Sequence, residues 1–123
     1  PEGRKTYDQV KEFKDLVMAY NQGFYTAQSD QRGFEAWAEY CSKTGRSIFM
    51  TQGQEVQFQE SVLQFCAYDA AIHGNKANTI SARVGSIVAA HKRSLYPDPY
   101  PCLQAVRYWL GSLRKLERKK EQF

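Results

Sequence analysis

The stretch "NTISARVGSIVAAHKRSLYPDP", residues 78–99, decides how the fold of this chain is interpreted. Apolar or uncharged residues recur in it at helical spacing: Ile80, Val84, Ile87, Val88 and His91. Its basic residues lie off this stripe, and Pro97 and Pro99 stop the helix. The pattern predicts an amphipathic helix over 77–95 with a thin basic outer face, closed by a tight loop.

The rest of the chain repeats this periodicity, and no segment alternates with the period of two that a half-buried strand shows. Gly45 and Gly74 are predicted to end helices, and Thr51 with Gln54 has the form of a capping box. The sequence therefore predicts an all-α fold, a compact bundle of about five helices. The predicted elements are a leading helix over 6–21 and a four-helix unit within 25–120, with helices at 25–43, 52–73, 77–95 and 101–120.

The predicted core consists of the apolar residues on one face of each helix. Five come from the leading helix: Val10, Phe13, Leu16, Val17 and Tyr20. The second and third helices supply Phe34, Trp37, Ala38, Cys41, Phe58, Val62, Phe65, Cys66 and Ala70. The last helix supplies Leu103, Val106, Leu110, Leu113 and Leu116.

Length and composition limit the class of protein. A chain of 123 residues is long enough for one domain, and a hydrophobic fraction of 42% excludes a disordered chain. No apolar run approaches the roughly 18 residues that span a bilayer, and no signal peptide opens the sequence. Cys41, Cys66 and Cys102 are too widely spaced for a zinc site or a disulfide framework. We therefore expect an intracellular protein in a reducing compartment, without a membrane partner.

Charge is divided unevenly along the chain. Residues 1–75 carry 7 Lys and Arg against 10 Asp and Glu, a net charge of −3. Residues 76–123 carry 10 against 3, a net charge of +7. Such a split indicates a polyanionic partner for the basic half, although a solvated surface with a Lys-rich end has the same composition.

Residue patterns typical of catalysis are scarce. His73 is predicted at a helix end, and His91 is interpreted as a core or edge histidine because it continues an apolar stripe. The chain contains no phosphate-binding glycine loop and no His or Cys spacing typical of a metal site. We expect no cofactor and no metal.

The basic residues of the last helix form a more informative pattern. Arg107, Arg114 and Arg118 lie along one face, with Gly111 between them and Lys115 beside them. A position without a side chain within an arginine stripe lets a helix backbone approach a phosphate chain closely. Two other interpretations remain open: Gly111 permits close packing of a neighbouring helix, or the stripe is an ordinary solvated helix end.

Four segments, in this order, resemble the core-binding domain of the tyrosine site-specific recombinases and phage-type integrases. They are "FEAWAEYCSKTGRS" (34–47), "VLQFCAYDA" (62–70), "ANTISARVGSIVAAHKRSLYPDP" (77–99) and "LQAVRYWLGSLRK" (103–115). The leading helix is similar to the one that Cre-like members place ahead of this unit. The resemblance implies a SAM-like helical domain over 1–123 that forms half of a clamp around duplex DNA.

The resemblance also implies which residues contact DNA. Groove-facing positions would be Gln28, Ser29 and Arg32 on the second helix and Asn78, Thr79, Ala82 and Arg83 on the fourth. Phosphate contacts would come from the last helix, at Arg107, Arg114, Lys115 and Arg118. Amides and Arg suit base edges, and Lys and Arg suit phosphates. For the polar residues at helix starts, N-capping is the competing interpretation.

The family's catalytic tyrosine and its Arg, His and Lys residues belong to a C-terminal catalytic domain, which the resemblance places outside this chain as a partner. This chain is then expected to bind double-stranded DNA without cutting it, with self-association through the leading helix as a further implied contact. The main rival is a protein interaction module with a basic docking face. A helix-turn-helix regulator fits less well, because the loop after residue 95 is too long and rich in proline.

Overall fold

The computed structural model of this chain describes residues 8–17 and 28–121. Residues 8–17 form α1, followed by α2 (Gln28–Thr44), α3 (Glu55–Ala71) and α4 (Ala77–Arg93). A short 3-10 turn (Tyr100–Cys102) precedes α5 (Gln104–Glu121). The all-α prediction is confirmed: these helices pack into a bundle, and the ranges described contain no strand.

The core forms where α2, α3, α4 and α5 face one another. Each of these four helices contributes a residue with no exposed surface: Trp37, Val62, Ile80 and Val106. The loop between α2 and α3 adds a buried run, Ile48, Phe49 and Met50, that helical periodicity does not reveal. The inner faces predicted for α2, α3 and α4 are confirmed, and Trp37 and Phe65 are both buried.

Among the described helices, α2 and α4 make the most extensive contact, and they approach closely at Gly33. A Cβ atom at Gly33 would lie 2.6 Å from Oγ of Ser86 and 3.2 Å from Cα of Arg83. Only glycine fits this approach without moving α4. The contact joins the first turns of α2 to the middle of α4, and it therefore positions two of the helices that carry predicted site residues.

We expect Gly33→Ala to lower the free energy of unfolding by about 1–2 kcal/mol, because overpacking costs about 1–3 kcal/mol and the helix preference of Ala offsets up to about 1 kcal/mol. The matched control is Gly85→Ala on the outer side of α4, where a Cβ atom meets none of the described residues within 4 Å. That variant should gain up to about 1 kcal/mol. Urea denaturation of both variants measures the difference, and equal stabilities would contradict the close contact at Gly33.

The inner face predicted for α1 is wrong. Val10 and Phe13 are 62% and 67% exposed, and Val17 is also exposed. Asp15 is buried instead, because its Oδ2 accepts a hydrogen bond from the Tyr96 hydroxyl. Among the described residues of the predicted face, only Leu16 packs against the core. The ends of the predicted helix, with Tyr20, lie outside the described residues.

Two predicted helix starts are also wrong. α3 begins at Glu55, after a turn in which Gly53 has a positive φ of 86°, and Gln54 makes no side-chain capping bond. The capping box predicted at Thr51 and Gln54 is therefore absent. α5 begins at Gln104 because the preceding residues form the 3-10 turn. Gly45 and Gly74, both with positive φ, follow α2 and α3 as predicted.

The inner face predicted for α5 is correct in its first half only. Val106 and Leu110 are buried, whereas Leu116 is 49% exposed. The last turns of α5 extend beyond the core, so their apolar residues have less to pack against. The basic residues of these turns are consequently exposed as well.

Candidate nucleic-acid interface

The outward side of α4 carries small and polar side chains. Asn78, Thr79 and Ala82 are exposed along its first turns, and Gly85 follows them. Since a Cβ atom at Gly85 would meet none of the described residues within 4 Å, no contact with that part of the chain requires glycine there. A partner can therefore approach the backbone of α4 closely along this ridge, which we call the α4 ridge (Asn78, Thr79, Ala82 and Gly85).

Two side chains of α5 hold it against the beginning of α4. Nε of Arg114 donates to Oδ1 of Asn78 at 3.2 Å. Oε2 of Glu117 accepts the backbone N–H of Ala77 at 2.8 Å, which satisfies one of the free amides at the N-terminus of α4. The predicted site residues Asn78 and Arg114 are thus brought together, although they are 36 positions apart in the sequence.

The other predicted cations of α5 lie along its surface. The Arg107 guanidinium lies 4.2 Å from the centre of the Tyr100 ring and donates to the Tyr100 carbonyl at 2.6 Å, so this side chain is held in one orientation. Lys115 and Arg118 are exposed. None of these residues, nor Arg114, forms an ion pair with a carboxylate in the described ranges. Their positive charge is therefore available to an anionic partner.

Gly111 lies within this stripe, and the structure bears on one of its interpretations, the close packing of a neighbouring helix. A Cβ atom at this position would meet nothing within 4 Å. Close packing of a neighbouring described helix is therefore not the reason for glycine here. The open position leaves the backbone of α5 accessible between Arg107 and Arg114.

The predicted residues of α2 lie at its N-terminal end. Arg32 is exposed, and the close contact at Gly33 brings this part of α2 against the middle of α4. A hydrogen bond from Ser86 Oγ to Asp30 Oδ1, at 3.3 Å, joins the same two helices. Gln28 and Ser29 begin α2, but their side chains lie outside the part of the structure that is described.

Arg83 is held by a partner that the sequence analysis missed. Its guanidinium donates to Oδ1 of Asp69 at 2.8 Å, and Asp69 is fully buried. The same oxygen accepts a hydrogen bond from Nδ2 of Asn75 at 2.8 Å. The Asn75 side chain therefore binds Asp69, and the N-cap residue of α4 is Lys76. The signal was present in the sequence, since position 69 continues the inner stripe of α3 beyond Val62 and Cys66 at helical spacing. Asp69 is therefore a core residue that apolar periodicity alone does not identify.

The titratable side chains of His91, Cys41 and Cys66 are buried in the protein core. Nε2 of His91 accepts the Met50 N–H at 2.8 Å, and Nδ1 lies 2.8 Å from the Ile87 carbonyl, so His91 is a core histidine as interpreted. Burial lowers the pKa of His91 to about 4. Burial also raises the pKa of the Cys41 and Cys66 thiols to about 12. These groups are in their neutral forms near neutral pH.

Within residues 8–17 and 28–121, no group of three or more His, Cys, Asp or Glu could hold a metal ion. No helix in these ranges is long and apolar enough to cross a membrane.

The surface of α4 and α5 presents guanidinium, ammonium and amide groups around an open helix backbone. Comparison with known proteins found no protein-family model, no curated protein and no solved structure that matches this chain.

Proposed function

We propose that this chain binds duplex DNA as the core-binding domain of a tyrosine site-specific recombinase or integrase. In this proposal it holds DNA for strand exchange, and a separate catalytic domain of the parent chain supplies the nucleophile and its basic residues. The chain by itself therefore binds DNA and does not cut it. Support comes from the four resembling segments and from the net charge of +7 in the second half.

One observation carries the proposal: an accessible helix backbone lies beside cations that have no carboxylate partner in the described ranges. The α4 ridge has small or absent side chains at Ala82 and Gly85. Arg114 of α5 is hydrogen-bonded to Asn78 in the first turn of α4. This combination suits duplex DNA, because positive charge neutralises its phosphates and a helix with small side chains can approach a groove closely. A docking face for an acidic protein needs the charge but not the open backbone.

The proposed roles follow from position. Arg107, Arg114, Lys115 and Arg118 bind phosphates, while the α4 ridge with Gln28, Ser29 and Arg32 faces a groove. Arg83 is predicted to reach a groove as well, although its guanidinium is paired with the buried Asp69 and its side chain is only 25% exposed.

The test is a titration of the chain with a duplex of about 35 base pairs over a range of salt concentrations. If the four cations of α5 bind phosphates, log K falls against log salt with a slope of about −3 to −4. Arg107→Ala and Arg114→Ala should each reduce the slope by about one and weaken all sequences alike. The matched control is Lys43→Ala, since Lys43 on α2 is paired with Glu39 at 3.0 Å and should leave the slope unchanged.

A steric variant tests the α4 ridge separately from the charge. Gly85→Leu keeps every cation, and we expect the fold to tolerate it because Gly85 is exposed and a Cβ atom there meets no described residue within 4 Å. The new side chain should block the approach of DNA. We expect binding to weaken at least tenfold at constant salt. The DNA proposal would be contradicted if the wild-type chain did not bind the duplex at tens of micromolar protein. It would also be contradicted if the binding constant did not depend on salt concentration.

The exposed apolar residues of α1 favour a second candidate, a protein contact. Val10, Phe13 and Val17 lie at helical spacing on the uncovered side of α1. We propose that this face supports self-association of the domain on DNA or, if DNA binding fails, that the chain is an interaction module. Sedimentation of the wild-type chain and of Phe13→Ser, with and without DNA, distinguishes these cases.

A further inference from the structure

A cleft of about 380 Å³ lies between α2, the C-terminal half of α3 and Arg83 of α4. Three aromatic rings line it: Tyr40, Phe65 and Tyr68, with centroids 5.4 Å apart for both the Tyr40–Phe65 and the Tyr40–Tyr68 pair. Its volume falls within the range typical of small-molecule sites, roughly 300–1,000 Å³, and a cavity of roughly 150 Å³ already accepts a benzene ring. The cleft therefore has room for a planar ring.

Asp69 lines the cleft, and one of its two carboxylate oxygens accepts no hydrogen bond from the described residues. Its Oδ1 accepts hydrogen bonds from Arg83 at 2.8 Å and Asn75 at 2.8 Å and lies 3.1 Å from Nδ1 of His73. Its Oδ2 is buried and has no hydrogen-bond partner among the described residues. Buried polar atoms in folded proteins are nearly always paired, so this oxygen has an unused acceptor position that the described residues do not fill.

Charges around the cleft are balanced within the protein. Lys43 forms an ion pair with Glu39 at 3.0 Å, and Arg83 forms one with Asp69 at 2.8 Å. A charged ligand would have to compete with one of these pairs. An uncharged ligand with an apolar body and a single donor fits without breaking either.

We propose that this cleft binds an uncharged aromatic ring that carries one N–H or O–H group, such as an indole or a phenol. The ring lies against Tyr40 and Tyr68, and its donor makes the missing hydrogen bond to Oδ2 of Asp69. The source is either a free small molecule or the Trp or Tyr side chain of a partner protein. The cleft shares Arg83 with the proposed DNA interface, but the ring and its donor contact Tyr40, Tyr68 and Asp69, so either proposal can fail alone.

The test follows amide NMR shifts of the full chain during titration with indole and with 1-methylindole, which has the same ring but no donor. We expect saturable shifts centred on residues 36–44, 65–73 and 83 with indole. Binding of 1-methylindole should be about tenfold weaker or more, because a hydrogen bond to a charged acceptor is lost. N-acetyltryptophanamide separates the sources: binding as tight as that of indole indicates a side chain, and much weaker binding indicates a free molecule.

Two variants with a new leucine provide the structural control. Ala36 lines the cleft, so Ala36→Leu should abolish the indole shifts while the chain remains folded. Ala67 is exposed on α3, does not line the cleft, and Ala67→Leu should leave indole binding unchanged. Shifts scattered over the surface, equal binding of the two indoles, or no saturable shift up to the solubility limit would each overturn the proposal. In the last case, water is the donor to Oδ2.

Discussion

Replacing Trp37 with alanine should lower the free energy of unfolding by about 3–5 kcal/mol, because a fully buried aromatic side chain is removed and a cavity remains. The indole ring packs edge-on against Phe58 and Phe65, with centroids 5.8 and 5.4 Å away. Its Nε1 donates to the Ile48 carbonyl at 2.9 Å, which ties the loop between α2 and α3 to the core. Since a domain is stable by only about 5–15 kcal/mol, this single change removes a large part of the total.

Urea denaturation followed by circular dichroism measures the effect, and Trp109 provides the matched control. Trp109 is partly buried at the edge of the core, so Trp109→Ala should cost only about 1–2 kcal/mol. Trp37→Phe should fall between the two, since it keeps a ring but leaves the Ile48 carbonyl without its donor. If Trp37→Ala and Trp109→Ala were equally stable, the packing of α2 described here would be wrong.

Acidification should destabilise the fold through His91. Burial lowers the pKa of His91 from 6.5 to about 4, although the hydrogen bond to the Ile87 carbonyl acts in the opposite direction. Between these two values the unfolded chain takes up a proton that the folded chain does not. The free energy of unfolding should therefore be unaffected by this group above pH 6.5 and fall by about 3 kcal/mol as the pH drops to 4, at about 1.4 kcal/mol for each unit of pKa difference.

The contribution of His91 is isolated by comparison with His91→Gln. Glutamine does not titrate, and its amide oxygen can accept the Met50 N–H that His91 Nε2 accepts in the wild type. The variant should be less stable at pH 7 and should lose less stability than the wild type between pH 6.5 and 4. Parallel stability curves for the two proteins would show that His91 is protonated in the folded state as readily as in the unfolded chain.

The sequence by itself determined the helices of the core and their inner faces. Trp37 on α2, Val62 on α3 and Ile80 on α4 were all predicted from the spacing of apolar residues, and all are fully buried. Gly45 and Gly74 marked helix ends correctly because a positive φ is a local property of the backbone. These features depend on residues within a few positions of each other, so the local spacing of residues in the sequence is enough to predict them.

Features that depend on distant partners required the tertiary structure. The burial of Asp69 depends on Arg83, 14 positions away, and that of Asp15 depends on Tyr96, 81 positions away. The hydrogen bond between Arg114 and Asn78 likewise joins α5 to α4. A polar side chain is buried only where another chain segment brings its partner, and this depends on how the helices are arranged in space. Helical spacing predicted that Phe13 would be buried, yet no described helix covers it, because apolar periodicity identifies a face without identifying what packs against it.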